Sequence, residues 1–305
     1  MKTGIIYDPV YLKHETGTHP ECKERVRITA EQLKTGGYGF IKPRKAARKE
    51  LMLNHSLKYI EHVEHFCREG GGIIDPDTIV SPMSFEAASF AAGAALEAAD
   101  QIVEGKSSRM FCLVRPPGHH ALRNCSMGFC LFNNVALGAR YALDHYGLKR
   151  ILVVDIDLHH GNGTQDAFYR EKEVLYFSVH QSHYYPGTGS SSEEGEGEGK
   201  GYTMNVPLAA GSGDREYISA LREILLARSI DFDPQLIFVS AGFDAYEDDP
   251  LGAMKVSIEG FGEIGRIINN IGLKTCNKII SCLEGGYNID KLPMCIKAYI
   301  KGAEG

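Results

Sequence analysis

Residues 151–163 read Ile151-Leu152-Val153-Val154-Asp155-Ile156-Asp157-Leu158-His159-His160-Gly161-Asn162-Gly163. The first half is an apolar, β-branched run of strand length, as expected of a strand buried on both faces. The second half is aspartate, histidine, asparagine and glycine. In an open parallel sheet, ligands bind outside the carboxyl ends of the strands, and this junction has that form. It recurs along the chain. Met110–Val114 runs into Arg115-Pro116-Pro117-Gly118-His119-His120, Leu236–Ser240 into Ala241-Gly242-Phe243-Asp244, and Lys278–Leu283 into Glu284-Gly285-Gly286-Tyr287-Asn288.

Gly4–Tyr7 and Val174–Val179 are further apolar strand candidates. Between the strands lie helical stretches: alanine-rich Phe85–Val103, then Val135–His145, Glu216–Ala227 and Ile258–Ile271, with Glu24–Leu33 and Leu57–Cys67 as additional candidates. Alternating strand and helix predicts an α/β fold with a mostly parallel central sheet and helices on both faces. No linker or repeat divides the chain, so residues 1–305 are expected to form one domain.

Composition narrows the function. The 305 residues are 43% hydrophobic and 24% charged, ordinary globular usage for a chain able to bury a large core. The formal charge of −6 argues against a direct nucleic-acid partner. No run approaches the roughly 18 apolar residues of a membrane span. The N-terminus reaches Asp8-Pro9 too early for a signal peptide, and eight scattered cysteines without a CxxC pair read as reduced thiols, so a cytoplasmic location is expected. No residue pattern specifies an oligomeric state.

The polar strand ends carry candidate chemistry. Asp157-Leu158-His159 places a carboxylate and an imidazole two residues apart, on one face if the backbone is extended. Alone, such a triplet is commonly a helix cap or a surface ion pair. With Asp244 it offers one nitrogen and two oxygens, a set suited to a catalytic zinc with an open position, or to iron(II). His119-His120 and His159-His160 supply possible bases, with Asp155 and Asn162 available to hold ring nitrogens and set tautomers. His55, His62 and His65 are a second possible metal cluster, though a solvated helix face accounts for them better. Ser190–Gly201 is glycine-rich, but its glutamates would repel phosphate and it leads into an extended segment at Tyr202–Pro207, so a solvated loop is expected.

Together these residues resemble the histone deacetylases, specifically the class II type and its prokaryotic homologues. The matching segments are His19-Pro20-Glu21, Arg115–His120, Gly128-Phe129-Cys130, Asp155–Gln165, Tyr185–Gly189, Asn205-Val206-Pro207, Ser240–Ala245 and Glu284–Asn288, in the family's order. Asn162, where class I forms carry Asp, points to class II. The resemblance implies an arginase-like α/β fold and hydrolysis of N6-acetyl-lysine in proteins or peptides to lysine and acetate. It implies Zn²⁺ held by Asp157, His159 and Asp244. His120 would be the general base, His119 backed by Asp155 its electrostatic support, and Tyr287 the donor to the oxyanion; read alone, Tyr287 could simply pack after a Gly-Gly turn. Structural K⁺ is implied at Asp155, Asp157, His159, Ser178 and Val179, and at Phe168, Glu171, Val174 and Tyr202.

Gly128, Phe129 and Tyr185 would line the substrate tunnel, Tyr185 standing where the family usually has Phe. Asp77 would hold the substrate backbone or simply form a turn. Arg25 would face an internal acetate channel or make a plain salt bridge. Leu251 matches the position where acetylpolyamine-specific members carry an acidic gatekeeper, although it could be a turn-flanking core residue, and Glu247, Asp248 and Asp249 are nearby acids. Hydroxamates are the implied inhibitors. Hydrolysis of an acetylpolyamine or other small amide is the alternative activity, and a non-catalytic binding module is a third possibility.

Overall fold

The apolar runs become strands in the computed structural model, which describes residues 2–305. The strands are β1 (Gly4–Ile6), β2 (Phe40–Ile41), β3 (Gly72–Asp75), β4 (Thr78–Val80), β5 (Arg109–Cys112), β6 (Ile151–Asp155), β7 (Val174–Gln181), β8 (Thr203–Leu208), β9 (Leu236–Ala241) and β10 (Ile279–Leu283). Eight of them form one sheet in the order β2-β1-β5-β10-β9-β6-β7-β8, and every pairing in it is parallel. β3 and β4 form a separate antiparallel hairpin.

The helices are α1 (Glu24–Thr35), α2 (Arg48–Leu51), α3 (Leu57–Arg68), α4 (Ser84–Val103), α5 (Asn134–His145), α6 (Asn162–Phe168), α7 (Asp214–Ser219), α8 (Leu226–Phe232), α9 (Ile258–Lys274) and α10 (Leu292–Glu304). Polar side chains start several of them: Ser56 accepts from Tyr59 N–H, Asn133 from Ala136 N–H and Ser257 from Gly260 N–H. The expected helix at Glu216–Ala227 proves to be the middle of a longer helical stretch, where a π-helical segment, Ala220–Leu225, joins α7 to α8. No described helix is long and apolar enough to cross a membrane.

Strand alternation covers both faces of the sheet. Phe111 of β5 and Ser281 of β10 are in register; Ser281 Oγ lies 2.9 Å from Tyr299 Oη of α10, and the Phe111 ring packs on Tyr299. Phe238 of β9 is paired one step earlier, with Ile280, and so points the other way, where its ring fills the space beside Gly138 of α5. Every residue of β5, β6, β7, β9 and β10 is buried. Each fully buried large apolar side chain there contributes about 1.5–3 kcal/mol. The four innermost strands, β5, β10, β9 and β6, all end on the same edge of the sheet, and the chain that leaves them builds the site.

Candidate active site

The loop after β5 delivers two histidines. Arg115 anchors its start: fully buried, it donates through Nε and Nη2 to the two carboxylate oxygens of Glu21, at 2.6 and 2.8 Å, and through Nη1 to the carbonyls of Tyr11 and His14. Such a forked, charge-assisted pair fixes direction as well as position. Further along, Gly118 N–H and His119 N–H both donate to Glu284 Oε2, at 2.6 and 3.1 Å, and Thr164 N–H donates to the His119 carbonyl. The His119 and His120 rings end 4.0 Å apart between centroids.

Their second partners differ. His119 Nδ1 lies 3.1 Å from Asp155 Oδ2, and His120 Nδ1 lies 2.8 Å from Asn162 Oδ1. The charges follow. Burial disfavours the His119 cation, but the carboxylates of Asp157 and Asp155 outweigh it and push His119 up to about 10. His120 has no carboxylate partner; burial and the neighbouring His119 and His159 charges hold it well below the usual imidazole range. With Nδ1–H donated to Asn162, Nε2 of His120 is a free acceptor.

Asp157 and His159 lie in a bend just beyond β6, not on the strand as the sequence reading supposed. The bend still brings them together. His159 Nδ1 is 3.1 Å from Asp157 Oδ1 and 3.0 Å from Asp244 Oδ2, and all three residues are buried. Backbone N–H groups orient the carboxylates: Leu158 N–H donates to Asp244 Oδ1, and Gly285 N–H to Asp157 Oδ2. Glycine is needed alongside. A Cβ on Gly242 would sit 2.0 Å from Asp157 Oδ2, and one on Gly285 2.2 Å from Asp244 Oδ2. Two buried carboxylates and an imidazole, with no lysine or arginine hydrogen-bonded or ion-paired to the carboxylates, form a donor set that fits a divalent cation, and the oxygen-plus-imidazole chemistry fits zinc.

Tyr287, from the end of β10, is buried between two partners. Its ring meets Phe129 edge-on at 5.7 Å, and the Arg25 guanidinium lies 4.8 Å above it. Arg25 makes the salt bridge that was one of its two readings, with Glu21 at 3.1 Å, and also donates to the carbonyls of Gly286 and Glu284.

Around the entrance, Gly128 has φ +57°, and a Cβ there would lie 2.2 Å from the His120 ring. Phe129 follows, also at positive φ. Tyr185 meets His120 edge-on at 5.1 Å. Asp77 Oδ1 accepts from Gly128 N–H at 2.9 Å and from Thr78 Oγ1, so its carboxylate holds the turn at Gly128; with Tyr185 it also lines a hollow of about 580 Å³. The Leu251 carbonyl accepts from Tyr184 Oη at 2.9 Å, and the Tyr184 ring stacks on His159. Of the acids near Leu251, Asp249 is turned inward to accept from the N–H groups of Leu251, Tyr287 and Asn288, while Glu247 and Asp248 are exposed.

His55, His62 and His65 do not converge. His55 is buried between the Leu122 carbonyl and Asn133 N–H, whereas His62 and His65 are exposed on α3. In the Ser190–Gly201 loop, Glu193 turns inward to accept from Gln165 and from Gly189 and Ser190 N–H. Glu284 and Tyr184 were given no role in the sequence. The first acts on backbone N–H groups, which have no sequence signature; the aromatic character of the second, beside Tyr185, was the available signal.

A buried imidazole with a free ring nitrogen, a carboxylate–imidazole cluster and flanking aromatic rings thus lie together at one edge of a parallel α/β sheet. The histone deacetylase domain profile matches residues 19–303, and the chain belongs to the histone deacetylase family as one of its deacetylases. It is 41% identical over 305 residues to a probable deacetylase of Methanothermobacter thermautotrophicus, covering 99% of this chain and 90% of that one. It is 38% identical over 298 residues to a probable deacetylase of Archaeoglobus fulgidus, covering 95% and 82%. Among solved structures, the HDA15 HD domain superposes with a TM-score of 0.93 at 36% identity, covering 98% of this chain and 87% of that one.

Proposed function

We propose that this deacetylase is zinc-dependent and hydrolyses the amide of N6-acetyl-lysine in proteins or peptides. The single observation that carries the reading is the placement of His120. Its Nε2 is free because Nδ1–H is committed to Asn162, and its ring lies 5.8 Å from that of His159 and 5.1 Å from the entrance residue Tyr185. Zn²⁺ held by Asp157, His159 and Asp244 would supply Lewis-acid polarisation of the acetyl carbonyl and a lowered pKa for the attacking water.

The chain's own residues would do the rest. His120 Nε2 takes the proton as a water oxygen bonds to the carbonyl carbon, and returns a proton to the lysine nitrogen as the C–N bond breaks. His119, held by Asp155, supports the water electrostatically. The Tyr287 hydroxyl donates to the oxygen that gains negative charge. Phe129 and Tyr185 flank the aliphatic stem of the acetyl-lysine, which suits aromatic faces. Leu251 supplies no charge for a polyamine, and the inward-turned Asp249 supplies none in its place. Structural K⁺ belongs to the same reading and rests on the family resemblance alone.

The test is chelation. Stripping the metal should abolish turnover of an acetyl-lysine peptide and Zn²⁺ should restore it, with a hydroxamate inhibiting by binding the metal. Full turnover by metal-free protein would sink the proposal.

A further inference from the structure

One member of the histidine pair, His119, also belongs to a second group of ligand-bearing side chains, with Cys130 and Glu284. Each offers an atom within 4.8 Å of the other two. Cys130 and Glu284 are 0% exposed and His119 3%. Glu284 gives Oε2 to the N–H groups of Gly118 and His119, but its Oε1 is buried without a hydrogen-bond partner. Arg25 does not neutralise it, because its guanidinium contacts the Glu284 main-chain carbonyl and the Glu21 carboxylate instead. The Cys130 thiol lies 3.2 Å from the Gly128 carbonyl and is also engaged by the His120 backbone. Leaving a buried acceptor unpaired is costly, and here it faces a thiol and an imidazole.

We propose that His119, Cys130 and Glu284 form a second, thiolate-containing metal site for a soft divalent cation such as Zn²⁺ or Cd²⁺, and that filling it inhibits the enzyme. On binding, the S–H bond of Cys130 and the Nε2–H bond of the His119 cation break, metal–sulfur and metal–nitrogen bonds form, and both protons leave to solvent. Glu284 Oε1 and a ring nitrogen of His119 complete a three-ligand set whose sulfur favours zinc or cadmium over magnesium. His119, once a ligand, no longer supports the reacting water. The catalytic cluster contains no sulfur, so the two sites differ spectroscopically. The site itself does not depend on the proposed reaction; its inhibitory effect does.

The test takes the full chain loaded with one equivalent of Zn²⁺ and titrates it with Cd²⁺. Equilibrium dialysis should find one further ion per chain, together with a new ultraviolet sulfur-to-cadmium absorption band. Peptide turnover should fall about 10²-fold or more, the scale of losing one preorganised electrostatic group. Cys130→Ala should melt like wild type and keep its one-equivalent turnover, yet lose the band, the extra ion and the inhibition. Glu284→Gln should lose the extra ion with the thiol still present, and Cys125→Ala, an exposed thiol, should change none of the three readouts. A chain that takes up no second ion, or a band that persists in Cys130→Ala, overturns the site. A band with undiminished turnover overturns the inhibition. If no peptide is turned over at one equivalent, the proposed reaction fails while the band and stoichiometry still decide the site.

Discussion

His120 Nδ1 lies 2.8 Å from the amide oxygen of Asn162, whose own amide nitrogen turns toward Met127 Sδ. The histidine placed to move the proton is therefore oriented by a neutral group, while its neighbour His119 is oriented by a carboxylate. A neutral partner holds the ring without stabilising its cation. Asn162→Asp should raise the His120 pKa by about one unit or more. His120 must be unprotonated to accept a proton, so the acidic limb of the kcat/KM profile should move to higher pH and activity below neutrality should fall. An unmoved acidic limb would remove His120 from the role of base.

His120→Ala and Tyr287→Phe should each lower kcat on an acetyl-lysine peptide by roughly 10²-fold or more, the scale of a general base or an oxyanion donor. Bound zinc and melting temperature should stay near wild type. Either variant turning over at the wild-type rate would refute its assignment.

Gly285→Ala puts a methyl group where a Cβ would lie 2.2 Å from Asp244 Oδ2 and 2.7 Å from Asp157 Oδ2. Both carboxylates must shift. Zinc affinity should fall about 10–100-fold, as when a group that orients metal ligands is lost. Zinc retained per chain after dialysis measures this, and retention equal to wild type would show that the cradle is not needed.

Substrate choice tests the rim. Acetyl-lysine peptides should exceed N-acetylspermidine in kcat/KM, and Leu251→Glu should shift the ratio toward the polyamine by adding a carboxylate for its second amine. A wild-type preference for the polyamine of about tenfold or more, beyond what one apolar contact supplies, would replace lysine deacetylation with the alternative activity.

His55 bears on acid stability. Its Nδ1 lies 2.9 Å from the Leu122 carbonyl and its Nε2 accepts from Asn133 N–H, so a second ring proton would point at a donor. Burial, the largest cause, lowers its pKa from 6.5 to about 4. Between those values the unfolded chain binds the proton and the folded chain does not, so stability present above pH 6.5 drains away as pH falls toward 4. The loss is roughly 3 kcal/mol at about 1.4 kcal/mol per unit. Urea unfolding of His55→Gln, which can keep a donor and an acceptor, should show a correspondingly shallower fall over that window; an equal slope would exclude His55 as the source.

What sequence could and could not reveal follows from how each feature is encoded. β5, β6, β7, β9 and β10 were legible because strands buried on both faces must be apolar throughout. Two-residue β2 is too short to carry a period, and the β3–β4 hairpin pairs only with itself. Tyr202–Pro207 read as extended but not as part of the sheet, because β8 is an edge strand with a half-buried pattern. The donors of the site were legible because histidines and carboxylates cluster at the strand ends. Their supports were not. Arg115 and Glu21 meet across 94 residues, Glu284 works on main-chain N–H groups, and Asp249, which read as a possible rim acid, is drawn inward by three N–H donors.

The strand order β5-β10-β9-β6 has a consequence for biosynthesis. The two strands made last are wedged between two made much earlier. A nascent chain that has not yet released Leu236 already carries His119 and His120, but it has two separate sheet fragments, β2-β1-β5 and β6-β7-β8, that share no hydrogen-bonded ladder. Asp244 and Tyr287 arrive only with the strands that close this gap. On the proposed assignment, the strands that close the sheet and the last groups of the site come in the same stretch of chain. Hydrogen exchange on chains stalled before Leu236 should find the β5 and β6 amides open, and strong protection there would contradict this order of assembly.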